Sequence, residues 1–253
     1  RQPRSAIAYG VSAVVTAIAA AGLRYAGRGA PDVLHRKDAI GVVALTWICL
    51  GIFGAVPFLV EGSIRHPASA LFEAVSGFTT TGATVVSDVD GLSRATNLWR
   101  CLIHWLGGMG IVVLFVAVFP QLGVGAKHLF RAEVPGPITE GLRPKIKQTA
   151  LALWWIYSAL TVAAAALLVF AGMPVYDAIC HAFSTLGTGG FSTKTASVGA
   201  FQSPAIDWII TAFMLIAGLN FGLFYAALNG QVRGLFTNYE LRFYLLVNAL
   251  VIG

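Results

Sequence analysis

Apolar stretches recur along the 253 residues near 5–27, 39–60, 97–120, 149–172 and 205–228, and a further one begins near 240. Each of the first five is long enough to cross a ~30 Å hydrocarbon layer, which takes about 20 apolar residues in a helix. The rest of the chain does little to offset them. Only 11% of residues are Asp, Glu, Lys or Arg and 57% are hydrophobic, whereas soluble domains carry about a quarter charged residues. A soluble core cannot absorb that imbalance, so the chain is read as an all-α integral membrane protein whose first partner is the lipid bilayer. The start, "RQPRSAIAYGVSAVV", reads as the opening of a spanning helix and has no clear cleavage site.

Charge position then sets a topology. Arg24, Arg28, Arg36 and Lys37 fall between the first two apolar stretches, and Lys127, Arg131, Arg143, Lys145 and Lys147 between the third and fourth. The opposite loops, 61–94 and 173–204, hold only Arg65, Arg94 and Lys194 beside Glu61, Glu73, Asp88, Asp90 and Asp177. The positive-inside rule makes the first pair cytoplasmic. Topology therefore accounts for the net charge of +6, and no nucleic-acid partner is needed. Cys49, Cys101 and Cys180 lack metal-ligand spacing and read as small buried hydrophobes. His35, His66, His104, His128 and His181 are scattered, and neither HExxH nor GxSxG occurs. Nothing concentrates catalytic chemistry, so an intramembrane enzyme is set aside.

Two further apolar segments, 67–77 and 175–186, are helix-like but would reach only about half-way across a bilayer at about 1.5 Å per residue. They read as re-entrant, entering from the outside. They are also copies of each other. "ALFEAVSGFTTTGATV" (70–85) aligns without gaps on "AICHAFSTLGTGGFST" (178–193) at an offset of 108 residues, with Ala70/Ala178, Ala74/Ala182, Ser76/Ser184, Thr80/Thr188 and Gly82/Gly190 identical. Pro67 and Pro174 open both segments, and each is followed by an apolar stretch containing tryptophan, Trp99 or Trp208. The repeating unit is spanning helix, pore-like half-helix, polar return loop, spanning helix.

One Thr/Gly run alone reads as an outer turn. Two equivalent runs, each after a half-length helix, call for another account. Irregular backbone at membrane depth is tolerated only where protein buries it or it lines a water-filled space. Carbonyls of such loops, directed at a common axis, can replace a cation's hydration shell, as in potassium-channel filters.

These residues resemble the Trk-type potassium uptake proteins of the Trk/Ktr/HKT superfamily. The resemblance runs through "ALFEAVSGFTTTGATV", "HWLGGMGIVVL" (104–114), "RAEVPGP" (131–137), "FSTLGTGGFSTK" (183–194), "LIAGLNFGLFY" (215–225) and "ELRFYLL" (240–246). It implies four pore repeats around one permeation path, with two helices before them. On that plan, residues 1–38 are a leading helix and cytoplasmic loop, 39–120 repeat one, 121–148 a cytoplasmic linker and 149–228 repeat two. Residues 229–253 are a linker and the start of repeat three, so two of the four quarters are present. The resemblance further implies potassium as substrate with no covalent cofactor, a bacterial inner (plasma) membrane location, a homodimer and a cytosolic nucleotide-binding regulatory subunit. The alternatives kept open are a sodium/potassium transporter of the Ktr/HKT type and a non-conducting scaffold or sensor of the same fold.

The candidate ion-binding residues are Thr80, Thr81, Gly82 and Ala83 in the first return loop, and Thr188, Gly189, Gly190 and Phe191 in the second. The offset pairs Gly82 with Gly190, and a register on Gly189 stays open. Gly107, Gly108 and Gly110 read first as close helix packing and second as a hinge. Asn220 reads as a mid-helix residue that either bonds a neighbouring helix or lines the cavity below the second loop. Arg100 and His104 share a helix face near the outer boundary, where Arg100 is expected to reach headgroups or pair with an outer acid. Glu73 and His181, equivalent on the half-helices, are expected to anchor them. The basic loop 121–148 serves either topology or contact with the cytosolic partner; its "GVGAK" (123–127) lacks phosphate-loop spacing.

Overall fold

The computed structural model describes residues 2–29, 36–118, 142–228, 230 and 238–252, and the described residues are helical with no strand among them. Helix α1 (Gln2–Ala26) is followed by α2 (Arg36–Glu61), the short α3 (Pro67–Phe78) and α4 (Arg94–Val118). The second half repeats the pattern with α5 (Leu142–Phe170), the short α6 (Val175–Leu186) and α7 (Pro204–Ala217). Helices α8 (Phe221–Leu228) and α9 (Tyr239–Ile252) complete the described chain. Most of the expected linker 121–148, with its "GVGAK", and part of the expected linker after 228 lie outside the described residues; α5 already begins at Leu142.

By length and composition Ser5–Gly29, Gly41–Glu61 and Gln148–Phe170 can each cross a membrane. Helix α4 is as long, at 25 residues, but its N-terminal half carries Thr96, Asn97, Arg100 and His104. All four are buried inside the protein, which is the placement polar groups in a membrane helix require. The two half-helices match the sequence expectation closely. Each has 12 residues, or about 18 Å of rise.

The expected span 205–228 is not one helix. It breaks after Ala217, and α8 leaves at 85° to α7. Two residues in "GLN" (218–220) account for this. Gly218 ends α7, and its amide still bonds back to the Met214 carbonyl at 3.0 Å. Asn220 then starts the next helix by accepting the Gly222 amide on Oδ1 at 2.9 Å, as an N-cap does.

Helix α4 is the seam of the fold, packing on α3 of its own repeat and on α5 and α6 of the other. On one side Ala55, Phe58, Ala70, Ala74, Phe78 and Ile103 form a core. On the other, Met109, Tyr157, Ala182, Leu186 and Phe213 form a second. Ala70 and Ala74 on α3, and their counterparts Ala178 and Ala182 on α6, are fully buried. Without a hydrophobic force between helices in lipid, such small residues let backbones approach and van der Waals contact accumulate. The large exposed side chains, such as Ile18, Val42, Leu45, Trp155 and Val162, lie on the long helices, where they suit lipid.

Candidate functional site: two equivalent return loops

Both half-helices end in the same hydrogen-bonded motif. At the end of α3 the Thr80 amide bonds the Gly77 carbonyl at 3.1 Å and the Thr81 amide bonds Ser76 at 2.9 Å. At the end of α6 the Thr188 amide bonds Thr185 at 3.0 Å and the Gly189 amide bonds Ser184 at 2.9 Å. This is the Schellman arrangement, which satisfies the last carbonyls of a helix by turning one residue left-handed. Glycine usually occupies that place. Here it is Thr80, at φ +55°, and Thr188, at φ +56°.

Two residues on, Gly82 and Gly190 take φ +75° and +89°, while positions 81 and 189 do not have positive φ. Each loop thus alternates in handedness at matching positions. Such alternation keeps successive carbonyls on one side of a strand, whereas an ordinary β-strand alternates them. The pairing of Gly82 with Gly190 in backbone conformation follows the offset of 108 rather than the register on Gly189.

The loops are also tied back in the same way. Glu73, on α3, accepts the Thr84 hydroxyl at 2.8 Å and the Val85 amide at 3.0 Å. Its counterpart His181, on α6, meets the Ser192 hydroxyl at 3.0 Å through Nε2. Thr84 and Ser192 are themselves a matched pair, so Glu73 and His181, expected to anchor the half-helices to their surroundings, tie each half-helix to its own return loop. Asp177 adds a second tie to repeat two by accepting the Thr193 hydroxyl at 2.5 Å. Two of the flanking positions face backward. The Ala83 carbonyl accepts the Ser76 hydroxyl at 2.6 Å, and the Phe191 ring stacks on His104 with centroids 4.0 Å apart.

The loops of the two repeats meet. A Cβ placed on Gly82 would lie 1.8 Å from the Gly189 carbonyl oxygen, so only glycine permits this approach. Gly107 and Gly108 work in the same way one layer deeper. A Cβ on Gly107 would come within 2.0 Å of the Phe78 carbonyl oxygen, and one on Gly108 within 2.8 Å of the Tyr157 hydroxyl and 2.9 Å of Gly187 Cα. Close packing, the first of the two readings for these glycines, describes both. Gly110 differs, because its nearest neighbour would be Trp47 at 3.9 Å.

One expected alternative is selected and one placement changes. Of its two expected partners, Arg100 takes the outer acid rather than the headgroups, and it is only 1% exposed. Its Nε donates to Glu73 Oε1 at 2.7 Å, making a buried ion pair behind the loops. A guanidinium withdrawn from water needs both a counter-charge and acceptors for its other N–H groups, and α3 and the loops supply them. The sequence contained the acid but not the contact, since Glu73 lies in a different helix. Asn220 is not mid-helix but at the break, where its amide donates to Glu240 on α9 at 3.2 Å. It is exposed. The helix-stop pair Gly218 and Asn220 was the sequence signal for that break.

The profile of the TrkH family, described as a cation transport protein, matches residues 8–252. The chain is 50% identical over 200 residues to the Trk system potassium uptake protein TrkH of Salmonella typhimurium, covering 78% of this chain and 41% of that protein. It is 33% identical over 248 residues to the Trk system potassium uptake protein TrkI of Halomonas elongata, covering 98% of this chain and 50% of the relative. Its fold is similar to the crystal structure of the potassium transporter TrkH from Vibrio parahaemolyticus, with a TM-score of 0.84, 36% identity, and coverage of 97% of this chain and 50% of that one. The chain thus spans about half the length of these relatives. With the profile matched over nearly its whole length, the chain belongs to the TrkH family of cation transport proteins.

Proposed function

We propose that this chain contributes two quarters of a pore for potassium uptake, with potassium as the transported substrate at the backbone carbonyls of Thr80–Gly82 and Thr188–Gly190. The observation that carries the reading is the duplicated backbone: left-handed Thr80 and Thr188, then left-handed Gly82 and Gly190, with Gly82 against the Gly189 carbonyl. Alternating handedness supports a row of carbonyls facing one way, the geometry a dehydrated cation needs. The relatives are potassium uptake proteins by name, which supports potassium as the cation.

Electrostatics favours the same reading. Each loop starts at the carboxyl end of a half-helix, where the aligned peptide dipoles amount to a partial negative charge of about half an elementary unit. Two such ends beside one path attract a cation without a fixed carboxylate that would hold it too tightly to release. The carbonyls of Ala83 and Phe191 flank this set. We assign Ala83, whose oxygen already accepts the Ser76 hydroxyl, and Phe191 to shaping the loop. Transport of this kind asks for no acid–base or nucleophilic group.

The same reading extends to a bacterial inner membrane protein that works as a homodimer, with a cytosolic nucleotide-binding subunit regulating it, as the family resemblance implies. The test of the pore is Gly190→Arg in the full-length protein, reconstituted in liposomes. Rubidium flux and its preference over sodium should be lost. Uptake and preference left intact by that arginine would remove Gly190 from the path, and a wild-type protein without flux would favour a scaffold.

A further inference from the structure

Arg100 belongs to the last helix of repeat one, yet its guanidinium reaches the return loops of both repeats. We propose that Arg100 is a positioning residue for cation selection, clamping the two loops at a fixed separation; the inference rests on the pore reading above.

Each of the three guanidinium nitrogens has an acceptor. Nε donates to Glu73 Oε1 at 2.7 Å, and Glu73 holds Thr84 and Val85. One terminal nitrogen donates to Thr84 Oγ1 at 3.1 Å. The other donates across the seam to the Ser192 carbonyl at 3.3 Å and to Asn97 Oδ1 at 3.2 Å. The guanidinium carbon lies 4.2 Å from the centre of the Phe191 ring. Thr84 follows Gly82 by two residues and Ser192 follows Gly190 by two, so one rigid planar group holds equivalent points of both loops. A filter discriminates between cations through the spacing and number of its oxygens. A five-donor fork fixes that spacing in a way a single ammonium cannot.

Stability alone does not explain the choice. A buried ion pair is weak evidence for stability, because an apolar pair of similar size often does as well. The repeat supplies its own comparison. Glu73 corresponds to His181, and the positions matching Arg100 are Trp208 or Ile209, according to whether the repeats are aligned on the half-helices or on the tryptophans. Trp208 is 69% exposed. The Glu73–Thr84 tie has its counterpart in His181–Ser192, but among the described residues the clamp occurs once, at the junction between the quarters.

The test uses the full-length protein in liposomes, reading the rubidium-to-sodium permeability ratio, with yield and elution profile as the folding control. Arg100→Lys keeps the charge and the pair with Glu73 but not the fork. The double variant Glu73→Gln with Arg100→Gln removes both charges together and leaves neither unpaired. Both should fold and conduct, with the ratio lowered by about tenfold, the worth of one charge-assisted hydrogen bond. A wild-type ratio in either folded variant overturns the proposal. So does failure of both to assemble, which would make Arg100 a structural residue only. Flux in the wild type separates the two readings. Its absence counts against the pore and the clamp with it, while its presence alongside unchanged variants counts against the clamp alone.

Discussion

Thr80 and Thr188 adopt φ values of +55° and +56°, where the Cβ of an L-residue crowds its own carbonyl at roughly 1–2 kcal/mol. A β-branched side chain makes that conformation rarer still, and its recurrence at matching positions points to the loop's geometry rather than to local preference. Gly82 shows the other half of the constraint. A Cβ there meets backbone, the Gly189 carbonyl oxygen at 1.8 Å, and no rotamer change can relieve a clash with backbone. Gly82→Ala is therefore expected to destabilise the protein by ~2 kcal/mol or more and to reduce rubidium flux. Thermal unfolding in detergent and liposome uptake check it, and an unchanged melting temperature would mean that the loops are not in contact at Gly82. The sequence made these positions legible because they occur twice at one offset. It did not make the left-handed threonines legible, since threonine is not what that conformation prefers. For Arg100 it offered headgroups or an outer acid without choosing between them, because the acid, 27 positions away, is brought beside it only by folding.

At the level of elements, the spanning and half-length helices could be read from length and apolar content alone. The break in the last span could not, because the apolar run continues through it and contains no proline; only Gly218 and Asn220 mark it. If Asn220 sets the start of α8, Asn220→Ala should remove the N-cap and cost about 1 kcal/mol, seen as a lower melting temperature with the Glu240 contact also lost. The glycines of α4 allow a sharper comparison. Gly107 lies against the carboxyl end of α3, at the Phe78 carbonyl, while Gly110 has room for a methyl group. Alanine in an open helical site gains up to about 1 kcal/mol over glycine, so Gly110→Ala should raise stability slightly and leave flux unchanged. Gly107→Ala should lower both by driving α4 away from α3. If Gly110→Ala abolished transport without unfolding, the hinge reading of this glycine cluster would replace the packing one.

On the scale of the whole molecule, the described residues join the repeats through the buried seam at α4, through the contact of Gly82 with Gly189 and through a strap between the loops at Asp90 and Thr195. Lys194 pairs with Asp90 at 3.2 Å, the Thr195 amide donates to Asp90 Oδ2 at 3.0 Å, and the Thr195 hydroxyl accepts the Val89 amide at 3.0 Å. The Thr195 backbone hydrogen bond, then the Thr195 and Lys194 side chains, hold the Asp90 carboxyl below its ordinary value of 3.8. A carboxylate depressed in the folded state contributes stability that is complete above its unfolded pKa and is lost as the pH falls through the folded one. The strap should thus be intact from neutral pH to about 5 and weaken below about 4. Because it is solvent-exposed its effect should be small and reduced by salt. Asp90→Asn should lower the melting temperature at neutral pH and flatten part of the acid-side loss. Selectivity should change little in that variant, since the buried seam, not the strap, sets the separation of the loops. A selectivity change as large as that of Arg100→Lys would place control of the loops at the outer surface instead.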